Sequence, residues 1–168
     1  MSAESILIFE GNSIAMRHLR AESFGELYRS VMKLVEDLAE YLDVTGRQQS
    51  RSLHPPAARE YAALSRQLTT GALRVASALL VLKSVRDGST PFNSGMADIR
   101  KKEMAEPPGS FSGSRDGLPT ELLELSTRCD CVRLEVKRLV DHLCDEGKSG
   151  KNPVHAALGL ITSVFGNA

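Results

Sequence analysis

Tryptophan is absent from this chain of 168 residues, and aromatic residues make up only 5% of it. This composition offers little surface for stacking on bases or sugars, and it suits a bundle of helices with an aliphatic core. An excess of charge is also missing, because 21 Lys and Arg residues balance 21 Asp and Glu residues. Domains that bind nucleic acid are usually basic, so nucleic acid is not an expected partner.

The chain also lacks the segments that are typical of exported and membrane proteins. Residues 6–9 are apolar, but they have neither the basic flank nor the longer apolar region of a secretory signal. The best candidate for a membrane span is bracketed by Arg74 and Lys83, which leaves it short of the ~20 apolar residues that are needed. We therefore expect a cytoplasmic protein without membrane insertion.

Cysteine is scarce and is confined to one segment, at Cys129, Cys131 and Cys144. An odd number of cysteines in this arrangement argues against a disulfide framework and favours reduced thiols. Together with His142 they could supply the four ligands of a zinc site. Residues two apart on a helix point to opposite sides, however, so Cys129 and Cys131 are not expected to share a metal. We expect no bound metal and no cofactor.

No catalytic or nucleotide-binding motif is present. The four histidines lie in four different segments, and the sequence contains no H-E-x-x-H, P-loop or G-x-G-x-x-G pattern. A helical bundle with an exposed histidine can act in phosphotransfer, but Val140 and Leu143 place His142 near the end of its helix. We expect no enzymatic activity, and a phosphotransfer or signalling module remains an alternative.

Three long segments have apolar residues at alternating steps of three and four, which predicts helices over about 23–45, 55–87 and 119–146. Ser23 and Glu26 have the spacing of a capping box, and Pro55 and Pro119 suit the first turn of a helix. The expected C-terminal stops are Gly46, Gly88 and Gly147. The second helix is apolar nearly all round from Ala72 to Leu82, so it should be central.

Four other segments complete the predicted organisation: an N-terminal tail over 1–22, a polar connector over 46–54, a flexible loop over 88–118 and a C-terminal tail over 148–168. Residues 96–106 could form a short helix in the loop, but their polarity gives it little to pack against. The C-terminal tail is nearly free of charge and is a candidate docking segment. Its apolar residues at helical spacing are Val154, Leu158, Ile161 and Phe165.

The predicted fold is all-α, an antiparallel up-down-up bundle of three helices, with the loop and the tails as flexible parts. The second helix has small and apolar residues beyond those needed for one core stripe, which favours a homodimer. The candidate interface residues are Gly71, Leu73, Ala76 and Leu80. The alternative is that the first and third helices of the same chain cover both faces.

Basic residues cluster in the connector and at the start of the second helix. They are Arg47, Arg51, Arg59 and Arg66, with His54 among them and Glu60 as the opposing charge. Guanidinium groups make bidentate bonds to carboxylates, so this cluster is a candidate surface for an acidic protein partner. The alternative is an ordinary solvated face.

The segment from Tyr61 to Val85, YAALSRQLTTGALRVASALLVLKSV, resembles the signature helix of the RcdA family and its DUF1465 relatives. In that pattern a Gly-Arg connector and a tyrosine precede a helix of the form ESxRLTTRLMQxASWLLxQRAV. The resemblance covers more than a third of the chain, from about Leu27 to Gly88. At two positions the sequence departs from the pattern, because Gly71 and Ala78 replace a basic residue and a tryptophan. The matching residues are Gly46, Arg47, Tyr61, Ser65, Leu68, Thr69, Thr70, Ala76, Ser77, Leu79, Leu80 and Val85.

The resemblance implies a dimeric three-helix adaptor without catalytic activity. Members of this kind bring cell-cycle regulators, such as CtrA with the help of PopA, to the protease ClpXP after the response regulator CpdR has primed ClpX. The expected location is the cytoplasm, with the cell pole as a candidate site within it. An adaptor raises the effective concentration of cargo at the protease, so each contact can be weak. A purely structural dimerisation protein is a further alternative.

Overall fold

The computed structural model describes residues 16–102, 111 and 113–149, with side chains described up to residue 145. The described residues form helices joined by turns, without a strand, so the predicted all-α class is confirmed for this part of the chain. A helical segment at residues 16–20 comes first. The helices that follow are α1 (Glu22–Asp43), α2 (Thr45–Arg51), α3 (Pro55–Arg86), α4 (Phe92–Lys101) and α5 (Thr120–Ser149).

The start of α3 is the most clearly specified helix end. Pro55 occupies the first turn, where its missing N–H costs nothing, and His54 is the N-cap with an extended backbone. The His54 Nδ1 accepts a hydrogen bond of 3.2 Å from the Ala57 backbone N–H. At the other end Gly88 has a φ of 78°, a left-handed conformation that glycine adopts without a Cβ penalty. Both ends of α3 follow from residues identified in the sequence.

Three expected helix ends were wrong. The N-cap of α1 is Ala21, without a side-chain capping bond, so Ser23 and Glu26 do not form the predicted capping box. The helix α5 continues past Gly147 to Ser149. Gly46 does not end a helix but is buried inside α2, which occupies part of the predicted polar connector. Its lack of a side chain leaves room for the hydroxyl of Tyr61 and the ring of Tyr41.

The core lies where α1, α3 and α5 contact one another, and α3 also contacts α2 and α4, in agreement with its predicted central position. Each fully buried aliphatic side chain contributes about 1.5–3 kcal/mol through the hydrophobic effect. The largest side chains with less than 2% exposure are Leu19, Leu34, Leu64, Leu79, Leu82, Ile99, Leu122, Leu143, Val31 and Val136.

The predicted up-down-up order was wrong. Tyr41, near the end of α1, approaches Tyr61 at the start of α3, while Phe24 at the start of α1 lies 5.5 Å from the guanidinium of Arg86, so α1 and α3 are antiparallel. The start of α5 returns to the start of α3, because a Cβ built at Gly117 would lie 3.8 Å from His54 Nε2. The helix α5 therefore runs parallel to α3 and antiparallel to α1.

The segment between α3 and α5 makes this return possible, because it is long enough to run back along the bundle. Its helix α4 begins earlier than the predicted helix over 96–106 and packs against α3. The buried side chains of α4 include Met96 and Ile99, and Gly95 allows a close approach to Val81 and Val85. The expectation that a helix in this segment would have little to pack against was therefore wrong.

The N-terminal tail predicted over 1–22 also contains ordered structure. In the helical segment at residues 16–20, Leu19 is completely buried in the core and Met16 packs against it. The C-terminal tail, 148–168, lies outside the described residues except for the end of α5. The division of the chain into one bundle with tails stays a prediction.

In the described part of the chain, α3 is long and apolar enough to cross a membrane by length and composition alone. The expectation that no segment reaches this limit was therefore wrong. The core helix of a globular protein meets the same criteria. Packing of α3 against several helices of the same chain accounts for its apolar composition.

Candidate protein-interaction surface

One side of α3 is left uncovered by the rest of the described chain. Its residues follow steps of three and four, so they form a single stripe along the helix. We call this stripe the α3 face, and it comprises Arg59, Ala62, Arg66, Thr70, Leu73, Ser77 and Leu80. All of them are exposed except Ser77, which is half-buried. The face therefore has a basic half toward the start of α3 and an apolar half toward its end.

The apolar half is formed by two leucines that are separated by two helical turns. Leu73 is 53% exposed and Leu80 is 48% exposed, so two large aliphatic side chains reach solvent on the same stripe. Between them the Ser77 hydroxyl donates a hydrogen bond of 2.8 Å to the Leu73 carbonyl, so this hydroxyl is satisfied within the helix. The Ser84 hydroxyl likewise donates to the Leu80 carbonyl at 3.1 Å. When a partner covers the leucines, these two hydroxyls keep their hydrogen bonds, so removing water from this surface costs little free energy.

A cleft adjoins the apolar half of the α3 face. It has a volume of about 430 Å³ and lies between α3 and α4, with Leu80 and Val81 on one wall and Gly95 and Ala97 on the other. Asp98 and Lys101 add charged groups to its lining. The cleft can receive an apolar side chain of a partner beside Leu80. In many protein interfaces an anchor residue of one protein fills a pocket of the other in this way.

The four arginines predicted to bind an acidic partner are all exposed. Arg47 and Arg51 lie one turn apart on α2, and Arg59 and Arg66 lie on α3. Within the described residues none of the four guanidinium groups forms an ion pair. Glu60 is the nearest carboxylate in sequence, but it lies beside Gly113. The exposed guanidinium groups are therefore available to carboxylates other than those of the described residues.

The orientation of α2 is fixed by tyrosines from the neighbouring helices. The Tyr41 hydroxyl donates a hydrogen bond of 2.9 Å to the Gln49 side-chain oxygen. Burial raises the pKa of Tyr41, and the nearby Tyr61 and Glu121 raise it further, so this hydroxyl stays protonated as a donor. This hydrogen bond holds α2 against α1 on the side away from Arg47 and Arg51, both of which are exposed.

The four residues predicted at a dimer interface are not brought onto one surface. Gly71 and Ala76 are buried within the protomer, whereas Leu73 and Leu80 are exposed. Gly71 lies at a small cavity lined by Leu68 on α3 and Cys129 on α5. Two of the four positions are therefore covered by helices of the same chain. The role of Leu73 and Leu80 in a dimer stays a prediction.

An acidic cleft where α1 ends and α5 begins was not identified from the sequence. Its volume is about 420 Å³, and its charged lining consists of Asp37, Glu40, Glu121, Glu124 and Arg128. Hydrogen bonds from Lys33 and Arg128 lower the pKa of Asp37 below its usual range. The cleft combines residues from two helices that are far apart in sequence, so it could be found only once the helix directions were known.

The cysteines and His142 do not converge on one site. Cys129 is buried and Cys131 is exposed, so the predicted opposite orientation of this pair is confirmed. Burial raises the pKa of the Cys129 thiol, with a smaller contribution from Asp130, which keeps it protonated and unreactive. Cys144 is half-buried. His142 is exposed on α5 and contacts His18, which precedes α1.

The remaining candidate residues are in the C-terminal tail. Val154, Leu158, Ile161 and Phe165 all lie outside the described residues. Their predicted part in partner binding stays a prediction, as does that of the four arginines.

Comparison with known proteins relates the chain to a family model and to a solved structure. The family model described as "Protein of unknown function (DUF1465)" matches residues 15–165 of the chain. The crystal structure of RcdA from Caulobacter crescentus CB15 is similar, with a TM-score of 0.62 and 33% sequence identity. The similarity covers 74% of this chain and 92% of the RcdA chain. No protein of curated function matches the chain.

Proposed function

Because the chain belongs to the DUF1465 family and is an RcdA-like member of it, we propose that it is a non-enzymatic adaptor for regulated proteolysis. The family relationship carries this proposal, and the α3 face and the arginine cluster are compatible with it. An adaptor needs surfaces that bind proteins, and it needs no catalytic group. The exposed guanidinium groups and the exposed leucines offer contacts of two kinds, one electrostatic and one apolar.

The proposed partners are ClpX with CpdR, PopA, and a protein cargo such as CtrA. The arginine cluster on α2 and α3 is suited to an acidic segment on one of these proteins, because arginine forks recognise carboxylates. Leu73 and Leu80 are suited to an apolar helix or to a second copy of the chain. We propose the cytoplasm, including the cell pole, as the place where the adaptor acts, and the homodimer as one of its states.

The test is degradation of a CtrA-type cargo by purified ClpX and ClpP with CpdR and PopA, measured with and without the full-length chain. The chain should accelerate cargo loss. The double variant Arg59→Glu and Arg66→Glu should reduce this acceleration, because it reverses the charge of the basic half of the α3 face. Arg138→Glu is a matched control, since Arg138 is exposed on α5. No acceleration by the unmodified chain would refute the adaptor function.

The C-terminal tail requires a separate comparison. The helix α5 continues to Ser149, so a truncation intended to leave the helix intact should follow that residue. We expect loss of residues 150–168 to weaken capture by an inactive ClpXP trap, because the tail carries the apolar residues proposed to dock. If the trap captures the full-length and the truncated chain equally well, the tail does not take part in binding to the protease.

A structural dimerisation role is a second candidate, and the exposure of Leu73 and Leu80 is the observation that favours it. Pull-downs that recover only the chain itself, together with a dimer that Leu73→Glu dissociates, would support this role over the adaptor. The phosphotransfer alternative predicts labelling of the chain by a phosphorylated receiver domain and loss of the label in His142→Gln.

A further inference from the structure

Two histidines meet at the end of the bundle where the chain segment before α1 crosses α5. The Nε2 atoms of His18 and His142 are 3.3 Å apart, although 124 positions separate the residues in sequence. Their ring centres are 4.8 Å apart and the ring planes are inclined by 84°. The two side chains therefore approach through their nitrogen edges rather than by stacking, and both are exposed.

This separation fits two ligands of one metal ion. Zinc binds imidazole nitrogen at about 2.0–2.1 Å with tetrahedral angles, which places two such nitrogens about 3.3–3.4 Å apart and their ring centres about 5 Å apart. Both observed distances are close to these values. Without a metal, the 3.3 Å contact is a hydrogen bond when one ring carries the Nε2–H proton and the Nε2 of the other accepts it. A metal ion would take the place of that proton, which moves to the Nδ1 of the same ring.

We propose that His18 and His142 form a two-histidine site for a divalent cation of the zinc class. Imidazole is a preferred ligand of such ions, and the exposed position leaves the other coordination sites to water. In the part of the chain that the structure describes, no group of three or more histidine, cysteine or carboxylate side chains surrounds a common point. The site is therefore open, with an affinity set by two protein ligands.

Binding at this site would join the helical segment at residues 16–20 to α5. The segment is already held by Leu19, which is completely buried, so the imidazoles are positioned before the metal arrives. The cation would bind the folded chain and not the unfolded one, and it would therefore raise the stability of the bundle. The site shares no residue with the α3 face, and its proposal does not depend on the adaptor function.

The experiment is a thermal unfolding series on the full-length chain without a histidine tag, with added ZnCl2. Zinc should raise the Tm of the unmodified chain, and either His18→Gln or His142→Gln should abolish the increase. His155→Gln is the matched control and should keep it. An unchanged Tm with zinc, or an increase that survives both substitutions at the pair, overturns the proposal.

A second measurement distinguishes imidazole ligands from the thiols. CoCl2 should give visible d–d absorption without a thiolate-to-cobalt charge-transfer band, and Cys131→Ser should leave the spectrum unchanged. His142→Gln should remove the d–d absorption. A charge-transfer band that disappears in Cys131→Ser would assign the metal to cysteine and overturn the site. These side chains are exposed, so the variants are expected to fold.

Discussion

Asp37 of α1 accepts a hydrogen bond of 2.9 Å from the guanidinium of Arg128 on α5, 91 residues away in the chain. The other carboxylate oxygen of Asp37 lies 2.7 Å from the Lys33 ammonium, one turn earlier on α1. The Asp37 side chain is 23% exposed, less than either of its partners. This ion pair joins antiparallel helices at the edge of the acidic cleft, and it forms only because α5 runs in the direction described above.

Acidification should weaken the link between Asp37 and Arg128. Folding lowers the pKa of Asp37, so its stabilisation is present above the ordinary carboxyl pKa of 3.8 and is lost as the pH falls through the lower folded-state pKa. We expect Asp37→Asn to reduce the free energy of unfolding at pH 7 by about 0.5–1 kcal/mol, in view of its partial exposure. The difference in unfolding free energy between the unmodified chain and Asp37→Asn should become smaller below pH 3.8.

Urea unfolding at several pH values measures this effect. A double-mutant cycle with Arg128→Ala isolates the coupling between the two residues from their other contacts. Zero coupling at pH 7, or an NMR titration that gives Asp37 an ordinary or raised pKa, would contradict the prediction.

Gly46 and Gly25 should respond in opposite ways to alanine. Both are helical, but a Cβ at Gly46 would collide with the Tyr61 hydroxyl and lie 2.9 Å from the Tyr41 backbone carbonyl oxygen, whereas a Cβ at Gly25 would meet nothing within 4 Å. We expect Gly46→Ala to destabilise the chain, because overpacking of about 1–3 kcal/mol exceeds the helix-propensity gain. Gly25→Ala should stabilise by up to about 1 kcal/mol. Chemical denaturation of both variants measures the two changes in unfolding free energy. Changes of the same sign and size would contradict the structure.

Leu79 and Leu80 are adjacent in sequence but belong to different surfaces. Leu79 is completely buried, so Leu79→Ala should cost about 2–5 kcal/mol of unfolding free energy. Leu80 is 48% exposed, so Leu80→Ala should change stability by less than about 0.5 kcal/mol. We expect Leu80→Ala instead to weaken self-association or cargo binding, measured by sedimentation and by pull-down. A large loss of stability in Leu80→Ala would show that the α3 face is covered within the protomer.

The direction of α5 can be measured with pairs of spin labels in a cysteine-free background. Ala62, Glu121 and Asp141 are exposed and suitable for labels. Because α3 and α5 are parallel, the distance from 62 to 121 should be shorter than the distance from 62 to 141. The two label sites on α5 are about 30 Å apart at a rise of 1.5 Å per residue, so the difference is readily resolved. A 62–121 distance longer than the 62–141 distance would show that α5 is antiparallel to α3, as in the up-down-up bundle.

Helical periodicity, Pro55 and Gly88 were enough to locate α3, because the residues that begin and end this helix act locally. The near-continuous apolar character of the segment from Ala72 to Leu82 likewise predicted a helix with several neighbours, and α3 contacts α1, α2, α4 and α5. These features depend on side-chain spacing and backbone conformation within a few turns.

The sequence by itself thus determined the all-helical class, the central helix and the exposure of the arginine cluster. Only the tertiary structure decided that α5 runs parallel to α3, since a connection as long as residues 87–119 permits either direction. It also decided that Gly71 and Ala76 are covered while Leu73 and Leu80 are not, because periodicity states which residues share a face but not which helix covers it. The contact between His18 and His142 was also decided by the tertiary structure, because the two segments are far apart in sequence and only packing of the bundle brings them together.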